Sequence, residues 1–193
     1  MRSCAEGGRR AGPRLRSGGL AAAGAAALLA CAVASAGTEV KEALAAIGPV
    51  ELEAGGARVG LAHVSFSDVV VTTDGAVALV VAMVQAEGTV RLSGGEPSLA
   101  YVGREAFRME RCAGRRWCLT PDALGGLRGV VAALAAAPRP AGARPVAWQV
   151  RVDRDRADAG EDYDAAEGGA LRRLRSTWTL AHAGKAWSLS PAP

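Results

Sequence analysis

The stretch FSDVVVTTDGAVALVVAMV, residues 66–84, decides the fold class that the sequence predicts. Its two halves, residues 66–71 and 76–84, are rich in β-branched residues and are separated by Thr72-Thr73-Asp74-Gly75. Asp-Gly between apolar runs predicts a β-hairpin, because both residues tolerate the positive φ angles of a tight turn. The second run is apolar on both strand faces, which predicts a central strand with cover on each side.

Further strands are predicted on both sides of this hairpin. Val59 and Leu61 alternate with small or polar residues before it. Residues 146–152 (VAWQVRV) and 174–180 (LRSTWTL) alternate apolar and polar side chains after it. Alternation with a period of two is typical of strands that bury one face, so the sequence predicts a sheet with several half-buried strands.

Two segments have helical signals instead. Residues 38–47 begin at Thr38, a capping residue type, and stop at Gly48-Pro49. Residues 121–137 have the stronger pattern, with Thr120 as the cap, Pro121 at the first helical position and an apolar face at helical spacing. These elements together predict the α+β class, with a curved antiparallel sheet packed by one or two helices.

An internal duplication is a further hypothesis. Residues 69–78 match residues 150–159 at five of ten positions, and residues 113–121 match residues 183–191 at five of nine. The repeat halves would be residues 37–120 and 121–193, each a helix with an antiparallel meander. The simpler interpretation is a single α+β domain over residues 37–193, since Ala and Val matches are common in this composition.

The first 36 residues are typical of a secretory signal peptide. A basic lead with five Arg precedes an uncharged segment from residue 18 to residue 36, and Ala34-Ser35-Ala36 offers a small-residue cleavage site before Gly37. A permanent membrane anchor is the alternative, because 19 uncharged residues are about the length that spans a bilayer. The signal predicts a periplasmic or secreted protein.

A second cleavage position lies inside the same segment. Leu28-Leu29-Ala30-Cys31 resembles the lipobox of bacterial lipoproteins. That resemblance implies cleavage before Cys31 and acylation of this residue, which would tether the protein to a membrane.

Charge and cysteine content limit the classes of partner. The chain has 23 Lys and Arg and 19 Asp and Glu, but residues 1–36 hold five Arg and one Glu, so the remainder carries 18 charges of each sign. A neutral mature chain does not predict nucleic-acid binding. Cys112 and Cys118 flank a Gly-centred turn, which predicts a disulfide in an oxidising compartment. Free thiols are the alternative.

No catalytic, cofactor-binding or metal-binding constellation is predicted. Six acidic residues fall between Asp153 and Asp164, but they do not match a calcium-loop template, and a solvated hairpin or loop is expected. His63, expected to point inward or to line an edge, and His182 are the two histidines, and neither has a marked nucleophile beside it.

The order of elements over residues 38–190, with Cys112 and Cys118, resembles two groups of exported folds. A helix cradled by a curved antiparallel sheet is similar to cystatin-like and nuclear-transport-factor-like folds. A tandem array of a helix and four strands, with short hairpin disulfides, is similar to secreted β-lactamase-inhibitory proteins. Both resemblances concern the fold, and neither carries over a functional residue.

The expected function is a non-enzymatic binding or scaffolding role in the bacterial envelope, with an envelope protein as the partner. The alternative is a carrier of a lipid or another small apolar ligand, in a cavity between sheet and helix. Contact with a membrane is expected only through the signal or a lipid anchor, and no cofactor is expected.

Overall fold

A computed structural model describes residues 36–183 and 186–191, without the side chain of Arg115. Residues 1–35, which include Cys31 and nearly all of the predicted signal, lie outside the described residues. Ala36 and Gly37 fall in helix α1, whose described part covers residues 36–45. Helix α1 therefore ends two residues before the predicted end at Ile47, and Gly48-Pro49 follow it as irregular chain.

The described chain is dominated by strands. In sequence order the strands are β1 (Val50–Ala54), β2 (Ala57–Asp74), β3 (Val77–Arg91), β4 (Ser98–Arg111), β5 (Trp117–Leu119), β6 (Arg144–Asp153), β7 (Arg156–Glu167), β8 (Ala170–Ala183) and β9 (Ala186–Pro191). A short 3-10 turn, Ala113–Arg115, precedes β5, and helix α2, Gly125–Ala135, separates β5 from β6. The fold is thus an α+β fold with little helix.

All of these strands belong to one mixed sheet that is not closed. Its order is β1-β2-β3-β4-β6-β7-β8-β9, and β5 pairs with the end of β4. Every pairing is antiparallel except the one between β4 and β6, which is parallel. The predicted antiparallel sheet is therefore correct except at this one pairing, where α2 carries the chain across the sheet before β6, and such crossovers join parallel neighbours.

The hairpin predicted from residues 66–84 is present. Asp74 pairs with Val77, and Gly75 has the positive φ of 58° that the turn requires. Strand β3 lies centrally between β2 and β4, as expected. Its cover is one-sided, however: Val80 is fully buried, whereas Leu79 on the opposite face is 51% exposed among the described residues.

The sheet bends around helix α2. This helix contacts β1 and β9 at the two edges of the sheet and β4 in its middle. Eight strands about 4.8 Å apart would form a flat sheet more than 30 Å wide, far beyond the reach of a helix about 10 Å thick. The contacts therefore require curvature, and they bury Leu127, Val130, Val131 and Leu134 between helix and sheet.

Helix α2 begins four residues later than predicted. The Thr120 hydroxyl donates to the carbonyl of Arg108 at 3.2 Å, and the Thr120 amide donates to the same carbonyl at 3.3 Å. Thr120 therefore continues the β4–β5 ladder and does not cap a helix. The residue before the helix is Leu124, in the left-handed region at φ 57°, and it makes no side-chain cap.

Two glycines of α2 allow a matched prediction about packing. A Cβ at Gly129 would lie 2.5 Å from Cδ1 of Trp187, whereas a Cβ at Gly125 would meet no described atom within 4 Å. We expect Gly129→Ala to lower the free energy of unfolding by about 1–3 kcal/mol through overpacking. We expect Gly125→Ala to raise it by up to about 1 kcal/mol through helix propensity. Urea denaturation measures both, and a stabilised Gly129→Ala variant would contradict the close packing.

Candidate functional site

A buried carboxylate holds the first turn of α2. Glu105, 4% exposed on the inner face of β4, accepts hydrogen bonds from the amides of Gly126 at 3.0 Å and Leu127 at 2.7 Å. The hydroxyl of Tyr101 donates to the same carboxylate. Burial, and then the nearby charge of Glu105, raise the pKa of Tyr101 far above its usual range. Glu105 therefore replaces the local cap that the sequence predicted at Thr120.

A second buried carboxylate acts at the other end of the same helix. Glu161 on β7 is fully buried and accepts hydrogen bonds from Nε of Arg139 at 2.7 Å and Nε1 of Trp148 at 2.9 Å. Arg139 in turn donates to the last carbonyls of the helix, including that of Leu134 at 2.6 Å. Positive charge at this end complements the helix dipole. Both buried acids thus anchor α2, Glu161 through Oε1, while its Oε2 has no hydrogen-bond partner among the described residues.

These two acids were missed by the sequence analysis, although a signal existed. In β4 and β7 the inward positions alternate strictly, and Glu105 and Glu161 occupy inward positions. A carboxylate in the apolar phase of a strand indicates a buried polar network, because an unpaired buried charge is costly. In β7 the other inward residues are mainly alanines. Their small side chains give a weak apolar alternation, so the inward positions do not stand out in the sequence.

The acidic stretch lies in strand β7 and its hairpin with β6, where two of its outer side chains form ion pairs. Asp162 pairs with Arg175 at 2.8 Å and Asp164 pairs with Arg173 at 2.5 Å. The hydrogen bond from Arg173 lowers the pKa of Asp164. Across the described residues, no group of three or more His, Cys, Asp or Glu is placed to hold a metal ion. Asp162 and Asp164 therefore neutralise neighbouring arginines on the outer face.

The histidines are not brought together with a nucleophile. Of the two positions predicted for His63, the inward one is wrong, because an irregularity between Leu61 and His63 shifts the side-chain alternation and leaves His63 exposed. His182 stacks on Trp187, with ring centroids 5.1 Å apart.

Helix α1, strand β1 and the β4–β5 hairpin enclose a groove of about 1160 Å³, called here the hairpin groove. Helix α1 forms one side, the start of β1 forms another, and the β4–β5 hairpin forms the third. Its apolar surface includes Ile47, Val50 and Leu119. Its charged lining residues are Glu39, Glu42, Glu51, Arg111 and Arg116.

The hairpin wall of the groove is cross-linked. Cys112 and Cys118 lie at disulfide-bonding distance, with Cα atoms 6.0 Å apart. Arg111 places its guanidinium 4.6 Å from the ring centroid of Trp117 and bonds Glu39 of α1 at 2.6 Å. The disulfide and the stacked arginine therefore hold β5 against β4 and join this hairpin to α1.

Strand β5 presents unpaired backbone groups at the groove. The amide of Cys112 donates to the carbonyl of Arg116, and the amide of Thr120 donates to the carbonyl of Arg108. The even-numbered residues in and beside β5 therefore direct their backbone groups toward β4. Neighbouring residues in a strand point these groups in opposite directions. Trp117 and Leu119 consequently direct their N–H and C=O groups to the free edge, and both residues line the groove.

Strand β1 has a free edge beside the same groove. Nε of Arg128 donates to the carbonyl of Glu53 at 2.9 Å, which shows that Glu53 directs its backbone groups away from β2. Residues two apart share this direction, so the backbone groups of Glu51 point to the same edge. Glu51 lines the groove, while Glu53 is already bonded to α2.

Removal of the disulfide gives a prediction about the hairpin wall. The loop closed by Cys112 and Cys118 is short, with a sequence separation of 6, so the chain-entropy relation predicts that Cys112→Ser/Cys118→Ser lowers the free energy of unfolding by about 2 kcal/mol. Denaturation of the oxidised wild type and of the double variant measures the difference. An unchanged midpoint would mean that the cross-link does not constrain the unfolded chain.

No family model, no curated protein and no solved structure matches this chain. Over the described residues, no helix combines the length and apolar character needed to cross a membrane. The candidate site therefore depends on the geometry of the groove alone.

Proposed function

We propose that the protein is an exported, non-enzymatic binding protein of the bacterial envelope that holds part of a partner protein in the hairpin groove. The observation that carries this proposal is the groove itself, which combines an apolar surface with a charged lining and is lined by residues of β5 and β1, two strands that each have a free edge. Backbone edges and apolar contacts are the means by which many proteins bind extended segments. Export is supported by the signal-like residues 1–36 and is compatible with the cysteine pair.

The buried charged groups support a binding role over a catalytic one. Glu105, Glu161 and Arg139 are the buried or largely buried ionic groups of the inner face, and each bonds an end of α2 or another member of that network. Groups held in this way stabilise the scaffold. The groove, in contrast, lies at the other helix and has an open, mixed surface that suits association.

The proposed duplication supports the choice of the groove. The matching segments occupy comparable places: residues 69–78 and 150–159 span the β2–β3 and β6–β7 hairpins, and residues 113–121 and 183–191 contain β5 and β9, each of which pairs with the strand before it. In the second half the helix packs directly on Trp187 at Gly129. In the first half the comparable space, between α1 and Trp117, is the open groove.

A carrier of an apolar ligand is the second candidate, and it would use the same groove. Helix α2 touches the sheet directly, since a Cβ at Gly126 would lie 2.6 Å from Oε1 of Glu105. The carrier hypothesis requires a cavity between sheet and helix. The groove at α1 is the better candidate for it, because Ile47, Val50 and Leu119 supply apolar contacts there.

Site-specific photo-crosslinking in the native cells tests the proposal. A photoreactive phenylalanine analogue at Ala46, which lines the groove, is expected to give one discrete protein adduct. The same analogue at Ala100, exposed on the outer face of β4, serves as the matched control and is expected to give none. A protein adduct only from position 100 would overturn the proposal. Stoichiometric lipid in the native mass spectrum, without any protein adduct, would favour the carrier.

A further inference from the structure

We infer that the hairpin groove binds its partner as an added β-strand along the free edge of β5, and that this segment carries a basic side chain facing Glu42 and Glu51. This inference rests on the proposed binding function and names the chemistry of the partner. The occupant is thus an extended, flexible segment of another exported protein.

The first argument is the unused hydrogen-bonding capacity of β5. This strand pairs only with β4, and β6 occupies the same edge of β4 only as far as Gly103. Trp117 and Leu119 direct two N–H and two C=O groups away from β4, with no bond from any other described residue on that side. Equivalent groups recur about every 7 Å along a strand, a spacing that an extended polypeptide matches.

The second argument is that the free edge of β1 is partly satisfied by a side chain, whereas the free edge of β5 is not. Strand β1 receives a hydrogen bond from Arg128 at the carbonyl of Glu53, so part of its free edge is already satisfied by α2. Proteins commonly protect free edges because such edges attract other strands. Strand β5 lacks a comparable side-chain donor in the described chain, although the cysteine pair and Arg111 hold it in place.

The third argument is charge. Glu39 is already paired with Arg111 at 2.6 Å. Glu42, Glu51 and Arg116 also line the groove, and none of the three forms an ion pair among the described residues, so the unpaired lining charge is net negative. A Lys or Arg on the segment would complement these two carboxylates. Side chains of an added strand alternate between its faces, so a basic residue and an apolar residue two positions away would point to the same side.

Phage-displayed heptapeptides, selected against the oxidised protein, are the probe for this inference. Selected sequences are expected to contain Lys or Arg two positions from an apolar residue. A synthetic peptide is then methylated at one backbone nitrogen at a time. Methylation at alternate residues is expected to weaken binding about tenfold, the loss of one to two hydrogen bonds, while methylation between them changes little.

Variants of the protein locate the binding and test the charge. Ala46→Trp, which fills the groove, is expected to abolish peptide binding. Glu42→Gln/Glu51→Gln is expected to weaken binding about tenfold for the loss of two favourable charge contacts. Glu87→Gln, on the outer face of β3, is the matched control and is expected to leave binding unchanged.

The outcomes separate this inference from the proposed function. Peptide binding that Ala46→Trp abolishes, but that every backbone methylation affects equally, would overturn strand addition and leave the groove as a binding site. If no selected peptide binds more weakly to the Ala46→Trp variant, the inference is overturned. The crosslink from position 46 remains a separate test of the proposed function. Self-association of the protein that Ala46→Trp abolishes would identify a second copy as the occupant and overturn the inference about another protein.

Discussion

Replacing Glu105 with alanine is expected to lower the free energy of unfolding by about 3–5 kcal/mol, because each buried donor left without an acceptor costs roughly 1–3 kcal/mol. Glu105 accepts from the amides of Gly126 and Leu127 and from the hydroxyl of Tyr101. The truncation leaves these three donors in an apolar interior and also removes the negative charge at the positive end of α2. Guanidinium denaturation followed by circular dichroism gives the unfolding free energy.

Glu110→Ala is the matched control for Glu105→Ala. Glu110 lies on the same strand, but its side chain is 52% exposed and pairs only with Arg108 at 3.3 Å. Exposed ion pairs contribute little to stability, so this variant is expected to unfold close to the wild type. Glu105→Gln keeps an amide oxygen in place and is expected to fall between the two. Equal losses for Glu105→Ala and Glu110→Ala would contradict the role of Glu105 as the cap of α2.

The strands were predictable from sequence because their signals are local. The hairpin at Asp74-Gly75 depends on four consecutive residues, and the alternation around Trp148 depends on one strand burying one face. The cysteine pair was predictable for the same reason, since a short turn brings Cys112 and Cys118 together whatever the rest of the chain does. Local geometry therefore accounts for what the sequence analysis predicted well.

The start of α2 was not predictable because its cap comes from elsewhere in the sequence. Thr120 and Pro121 are good local signals, yet Thr120 is drawn into the ladder by the carbonyl of Arg108. The acceptor for the first helical amides is Glu105, which lies 22 residues before Leu127. The parallel pairing of β4 with β6 is equally non-local, because it depends on where the helix returns the chain to the sheet.

The groove was predicted only in outline, as a space between sheet and helix. The main helix–sheet contact was predicted at the second helix, and the structure has close packing there at Gly126 and Gly129. The open space lies at α1, where Arg111 and Glu39 join the hairpin to that helix. Whether a helix packs closely on the sheet or leaves a groove depends on side-chain packing that no local pattern encodes.

The second large effect is expected at the buried ion pair below the end of α2. Arg139→Ala is expected to lower the free energy of unfolding by about 3–5 kcal/mol, because it leaves the carboxylate of Glu161 buried without its counter-charge. The side chains are 15% and 1% exposed, respectively, and their contact measures 2.7 Å. The same truncation removes the donors to the last carbonyls of the helix, including that of Leu134. Denaturation curves of the single variants measure the loss.

A double-mutant cycle separates the ion pair from its surroundings. Arg139→Met/Glu161→Leu removes both charges while keeping apolar volume. Its loss of unfolding free energy is therefore expected to be smaller than the sum of the losses of Arg139→Met and Glu161→Leu. A loss remains, because Trp148 Nε1 and the carbonyl of Leu134 each lose a partner. Asp164→Ala is the control, since Asp164 pairs with Arg173 on the exposed face of the same strand, and little change is expected. Strictly additive single losses would show that Arg139 and Glu161 stabilise the protein independently, and that α2 is not anchored through their pairing.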